Sequence, residues 1–130
     1  MLCWGDNEAG QLGDGTTDSR AAPAPVAGVT DAVWIAVGPS FACAVRRGGS
    51  VVCWGSNRHG QLGVGTFLDR PTPAAVEGLS DVVEVGASLE FDATDREGFA
   101  CARRAGGDVW CWGDNRNLQL GRAFMRFTLP

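Results

Sequence analysis

The chain has 130 residues, a net charge of −4 and 45% hydrophobic residues, with a pI near 4.8. That acidic balance argues against nucleic acid and against an anionic membrane surface as partners, because both reward a basic protein. No apolar run approaches the roughly 18 residues of a membrane-spanning helix, and no Asn-x-Ser/Thr acceptor for N-glycosylation occurs.

Read from the N-terminus, the first element is the short apolar run Met1-Leu2-Cys3-Trp4-Gly5. Its Cys-Trp-Gly core returns as Cys53-Trp54-Gly55 and Cys111-Trp112-Gly113, starting at positions 3, 53 and 111, each time with an Asn two residues on: Asn7, Asn57 and Asn115. Self-similarity at a period of about 50 residues is the signature of a repeat architecture. Trp4, Trp54 and Trp112, with Gly5, Gly55 and Gly113, are therefore read as structural residues of the repeat.

Next comes Gly5-Asp6-Asn7-Glu8-Ala9-Gly10-Gln11-Leu12-Gly13, repeated as residues 55–63 and more loosely as residues 113–121, where Leu118 replaces Gly10 and Gly60. A Gly-x-Gly-Thr follows at 13–16 and 63–66, then a proline-rich stretch, a Val-x-Gly and an apolar run ending at Gly38 or Gly86. Short apolar runs between Gly, Pro, Asn and Asp clusters read as strands joined by turns. The chain is expected to be all-β.

Phe41 to Gly55 folds into a hairpin by its own symmetry. Cys43 and Cys53 are equidistant from Gly48, in the turn-forming Arg46-Arg47-Gly48-Gly49-Ser50, and Cys101 and Cys111 are equidistant from Gly106. Tight turns favour this composition. In that register Cys43 opposes Cys53 and Cys101 opposes Cys111, with α-carbons about 4.5 to 5.5 Å apart, within reach of a disulfide. Buried free thiols are the alternative reading. Trp54 then faces Ala42, Trp112 faces Ala100, and Trp110 faces Ala102. Both faces of the first hairpin are apolar, so both must be covered.

Small antiparallel sheets, each covered by copies of itself, describe the blades of a β-propeller. The pattern Cys-Trp-Gly-x-Asn-x-x-Gly-Gln-Leu-Gly-x-Gly-Thr, with a Gly-Gly hairpin before it, resembles the regulator of chromosome condensation repeat. The resemblance implies four-stranded blades, seven of them in complete members. Phe41-Ala42 and Phe99-Ala100 stand where such repeats usually carry His-Thr, so any role of that His is absent.

Residues 1–130 are thus read as a single incomplete propeller domain of about two and a half four-stranded antiparallel blades, with repeat units at roughly 1–40, 41–98 and 99–130. Closure takes four to eight blades, so the chain is expected to be a fragment of a larger propeller. Cys3 lacks a hairpin partner and is expected to be unpaired. Exposed terminal strands favour self-association or contact with the remaining blades.

Residues 87–98 break the repeat, because Gly86 to Phe99 spans ten residues more than Gly38 to Phe41. Insertions in repeat arrays map to loops on one rim, commonly the binding rim. Leu89, Glu90, Phe91, Asp92, Asp95, Arg96 and Glu97 are accordingly the candidate partner-binding loop. A calcium site from Glu90, Asp92, Asp95 and Glu97 lacks the spacing of an EF-hand, and no cofactor or metal is expected. His59 is the sole histidine and sits in a turn without a triad partner, so no catalytic site is expected.

The paired cysteines fit an oxidising compartment, extracellular or periplasmic, and eleven arginines without one lysine fit a GC-rich bacterial coding sequence. The function expected is a non-catalytic protein-binding scaffold from a bacterial, exported propeller. The resemblance extends to a secreted bacterial inhibitor of beta-lactamases. It also implies a second class, guanine-nucleotide exchange on a small GTPase.

Overall fold

The computed structural model describes residues 1–88 and 98–121. Nine strands form there, all paired antiparallel: β1 (Leu2–Gly5), β2 (Arg20–Pro25), β3 (Ala32–Val37), β4 (Phe41–Arg46), β5 (Val51–Gly55), β6 (Arg70–Ala75), β7 (Val82–Ala87), β8 (Phe99–Arg104) and β9 (Val109–Gly113). They make three sheets in chain order: β1-β2, β3-β4-β5-β6 and β7-β8-β9. The middle sheet is a complete four-stranded blade. Its first strand, β3, precedes the hairpin that opens the second repeat unit, so sheet and sequence repeat are out of phase by one strand.

The hairpin registers follow from the turns. The Arg46 N–H donates to the Ser50 carbonyl at 2.9 Å, and the Arg104 N–H donates to the Asp108 carbonyl at 2.9 Å. Antiparallel pairs alternate between hydrogen-bonded and non-hydrogen-bonded, the latter being closer. Three residues further in, Cys43 opposite Cys53 and Cys101 opposite Cys111 fall at the close kind. Disulfides join both pairs, with α-carbons 4.1 and 4.0 Å apart. Each closes a loop of ten residues, which in the chain-entropy account stabilises the fold by about 2.5 to 3 kcal/mol.

The two faces of β4 and β5 enter separate cores. Phe41, Cys43, Val45, Val51 and Cys53 join Leu62, Val76, Val82, Val85, Ala100, Ala102 and Trp112 between the second and third sheets. Ala42, Ala44, Val52 and Trp54 join Val26 and Val29 beside the first sheet, with Met1 and Cys3 against them. Period-two alternation thus sends one face of the hairpin to each neighbouring sheet. Every residue of β5 is buried in consequence.

β2 and β6 lie at the ends of their sheets. Pro23 and Pro25 in β2, and Pro71 and Pro73 in β6, remove donors from these strands. Proline is tolerated at sheet edges and discourages pairing with another chain.

Candidate functional site

Three features could carry function: the rim bearing the 87–98 insertion, the turns that join one sheet to the next, and the outer faces of the first and third sheets. The loop residues Leu89, Glu90, Phe91, Asp92, Asp95, Arg96 and Glu97 lie outside the described residues. Its stem lies within them. The Ser88 N–H donates to the Phe99 carbonyl at 3.0 Å, and the Phe99 N–H donates to the Ser88 hydroxyl at 3.1 Å.

Below that stem sits Phe41, fully buried. A β-carbon on Gly98 would stand 2.6 Å from its ring, and one on Gly38 2.3 Å, so the phenyl ring is gripped between two glycines that nothing larger can replace. Phe41 occupies the place where repeats of the resembled family usually carry histidine. The insertion therefore springs from a dry, apolar base, at the same end of its sheet as the short Gly38-Pro39-Ser40 connection.

The turn after each Cys-Trp-Gly is built alike three times. Asn7, Asn57 and Asn115 accept from the backbone N–H of Leu12, Leu62 and Leu120 at 2.9, 3.0 and 3.0 Å. Gln11, Gln61 and Gln119 accept through Oε1 from Ala9, His59 and Asn117, each at 2.9 Å. These side chains stand in for backbone partners in the loop. The turn survives the exchange of glycine for Leu118, which adopts φ 60° where Gly10 and Gly60 have 78° and 74°.

What the turn supports is the tryptophan of the following sheet. The Trp54 indole N–H donates to the Gln11 carbonyl at 2.9 Å, and the Trp112 indole N–H donates to the Gln61 carbonyl at 2.9 Å. β-carbons on Gly13 and Gly63 would stand 2.7 and 2.8 Å from the respective rings. The Gln11-Leu12-Gly13 and Gln61-Leu62-Gly63 turns are ledges on which the next sheet's indole lies. The sequence carries a signal for this contact, since both halves recur, but hairpin register pairs Trp54 only with Ala42 and does not reach the preceding turn.

Trp4 differs from its two counterparts. Trp54 and Trp112 are 0% and 3% exposed, whereas Trp4 is 61% exposed. With Leu2, Ile35 and Val37 it borders an open cleft of about 360 Å³ beside β1. Cys3, half-buried at the same place, is a free thiol; burial pushes its pKa up, opposed by the nearby N-terminal amine.

The outer face of the third sheet is open too: Val109 is exposed, as is Arg103, and Cys101 and Cys111 are only partly covered. Arg103 is held by Glu84 at 3.0 Å. Trp110 opposes Ala102 and keeps 38% of its surface exposed, while Trp34 keeps 45% yet donates its indole N–H to the Val85 carbonyl at 2.9 Å. The arginines at the hairpin turns are tied back to their own sheets, Arg46 by Asp31 at 2.7 Å and Arg104 by the Ser80 carbonyl at 2.9 Å.

Sequence profiles agree with this geometry. The Regulator of chromosome condensation (RCC1) repeat matches residues 1–45 and 48–91, and a second profile of that repeat matches residues 33–61 and 97–119. The chain belongs to the RCC1 repeat family.

Solved RCC1-type structures share the fold. Human WBSCR16 superposes with a TM-score of 0.75 at 20% identity, over 98% of this chain and 32% of that one. Prp20p from Saccharomyces cerevisiae, described with its binding to Gsp1p and histones, gives 0.69 at 25% identity over 94% and 30%. The same yeast protein bound to Kap60 gives 0.63 at 23% identity over 86% and 25%. The RCC1-type chain thus spans about a third or less of these structures, with the all-β architecture of a partial propeller. No curated protein sequence matches it. Family and fold support a protein-interaction or regulatory role.

Proposed function

We propose that this RCC1-repeat chain is a non-catalytic protein-binding scaffold of a bacterial, exported β-propeller, and that residues 89–97 engage its protein partner. The observation that carries the reading is the Ser88–Phe99 clamp. It joins the two ends of an acidic segment that includes apolar Leu89 and Phe91, at the one connection where the repeat is lengthened. Binding residues concentrate on loops held by a stiff scaffold. The two cross-strand disulfides, repeated in register in successive sheets, support an oxidising compartment. The open outer sheet faces add self-association to this reading.

The test replaces residues 89–97 with a single proline, after the short Gly38-Pro39-Ser40-Phe41 connection of the middle sheet, and compares chemical cross-linking of both forms in the envelope of the expressing cell. One partner cross-linked through the loop and lost with it is the expected result. An unchanged partner set would remove the loop from binding. The exchange reading has the likeness to Prp20p behind it; absence of nucleotide release from a small GTPase on mixing eliminates it.

A further inference from the structure

The Gly-x-Gly-Thr loops of the first and second sheets follow one backbone course and differ in one decisive side chain. Arg20 and Arg70 take the same register position, opposite Gly5 and Gly55 of Cys-Trp-Gly. Asn7 and Asn57 hold the two loops alike, donating from Nδ2 to the Thr16 and Thr66 carbonyls at 3.0 and 2.6 Å. Gly13 and Gly15 have φ +69 and +89, and Gly63 and Gly65 have +67 and +72. In the first loop this backbone closes around the Asp14 carboxylate. Its Oδ1 accepts from the Thr16 N–H at 2.9 Å and the Thr16 hydroxyl at 2.7 Å, and its Oδ2 accepts from Arg20 Nε at 2.6 Å. In the second loop Val64 stands at that position and packs against the core between the second and third sheets. Thr66 Oγ1 and Arg70 Nε are buried and meet no acceptor among the described residues. Asp69, the carboxylate nearest in sequence, accepts from the Asn57 N–H at 2.8 Å instead.

We propose that the Thr66–Arg70 cradle binds a carboxylate brought by a ligand, in the place where the first sheet supplies its own from Asp14. A buried donor without an acceptor is costly, and charge-assisted hydrogen bonds to an anion are the strong way to relieve it. The chemical class follows from the first loop. There the donors grip both oxygens of one group, an arrangement that a planar two-oxygen anion satisfies and a single halide ion does not. The same donors favour the ionised form: the Thr16 bonds, with Arg20, lower the Asp14 pKa to about 2. Val64, Thr66 and Arg70 are each partly exposed and Gly65 is exposed, so the buried donor atoms lie just beneath the surface of the loop. This inference does not depend on what residues 89–97 bind.

Proton–nitrogen NMR of the arginine Nε–H groups tests it on the whole chain, at mildly acidic pH where these protons exchange slowly and formate stays ionised. Formate is titrated against sodium chloride of equal ionic strength. The Arg70 resonance is assigned by its loss in Arg70→Lys, and Arg20 Nε–H, already bonded to Asp14, is the internal reference. Formate should shift Arg70 saturably and leave Arg20 in place. The position reached at saturation should be the one that Arg70 holds in Val64→Asp without formate, and in that variant formate should move neither resonance. Circular dichroism confirms that the variants fold. A capped aspartate residue, blocked at both ends, separates two sources of the same chemistry. A shift with it extends the cradle to an acidic side chain of a protein partner, and a shift with formate alone restricts it to a small free acid; either supports the proposal. An Arg70 resonance that ignores formate, answers equally to chloride, or moves as far in Val64→Asp as in the parent would overturn it.

Discussion

Trp54 and Gly13 stand so close that a β-carbon on the glycine would lie 2.7 Å from the indole, and the same ring donates to the Gln11 carbonyl at 2.9 Å. This contact couples one sheet to the next. Gly13 also has φ +69, so a side chain there meets both backbone strain and the ring. Gly13→Ala should cost about 1 to 3 kcal/mol in urea unfolding. Gly48→Ala, in the β4–β5 turn with nothing within 4 Å, should stay within about 0.5 kcal/mol. Equal effects at the two positions would show that the ledge does not couple the sheets.

Leu118 holds a left-handed backbone at φ 60 while its side chain is 57% exposed. The turn demands this conformation, closed by the Leu118 N–H to the Asn115 carbonyl at 3.1 Å, as Gly10 closes on Asn7 at 2.9 Å and Gly60 on Asn57 at 3.0 Å. A β-carbon in the left-handed region costs about 1 to 2 kcal/mol, and little packing is lost with an exposed leucine. Leu118→Gly should therefore raise stability by about 1 kcal/mol, read as a few degrees in thermal melting. A fall in melting temperature would mean that Leu118 is held by contacts that outweigh the strain.

Alkylation should separate the five cysteines into one and four. In denaturant without reductant, Cys3 alone should react, because Cys43–Cys53 and Cys101–Cys111 are bridged. In the native chain its reaction should need a higher pH than an ordinary thiol, since burial raises its pKa and the thiolate is the reacting form. Mass spectrometry counts the adducts. Five adducts without reductant would refute both bridges.

The hairpins were legible because their information is local. Two cysteines equidistant from a Gly-Gly turn fix a register, and the register fixes which residues share a face, so Cys43 with Cys53 and Trp54 with Ala42 follow from spacing alone. Contacts between sheets are not local. Trp54 rests on a ledge 43 residues earlier in the chain, and nothing in hairpin alternation predicts that partner. For the same reason Trp4 looked equivalent to Trp54 and Trp112, although its surroundings leave it exposed. The insertion was visible as a break in the repeat, while its partner is written in no spacing rule.

Asp14 and Val64 occupy equivalent places in the Gly-x-Gly-Thr segments, with opposite consequences. The Asp14 carboxylate accepts from the Thr16 N–H at 2.9 Å, the Thr16 hydroxyl at 2.7 Å and Arg20 Nε at 2.6 Å. In the next repeat Val64 offers no acceptor, and Thr66 Oγ1 and Arg70 Nε are buried with no hydrogen-bond partner. One substitution accounts for both orphaned donors. Buried donors left unmet are costly, so Val64→Asp should stabilise the chain by about 1 to 2 kcal/mol at neutral pH, offset in part by the lost packing of Val64 against the core. Asp14→Val should cost about 1 to 3 kcal/mol. The Thr16 hydroxyl and backbone bonds, with Arg20, lower the Asp14 pKa from 3.8 to about 2. A carboxylate depressed in the folded state contributes stability that is fully present above its unfolded pKa and is lost as pH falls through its folded pKa. Stability should thus decline between about pH 4 and pH 2, and Asp14→Val should flatten that limb while Val64→Asp steepens it. Denaturant midpoints measured across this range decide the matter: destabilisation by Val64→Asp at pH 7, with no change in the acid limb, would show that Thr66 and Arg70 are not waiting for a carboxylate.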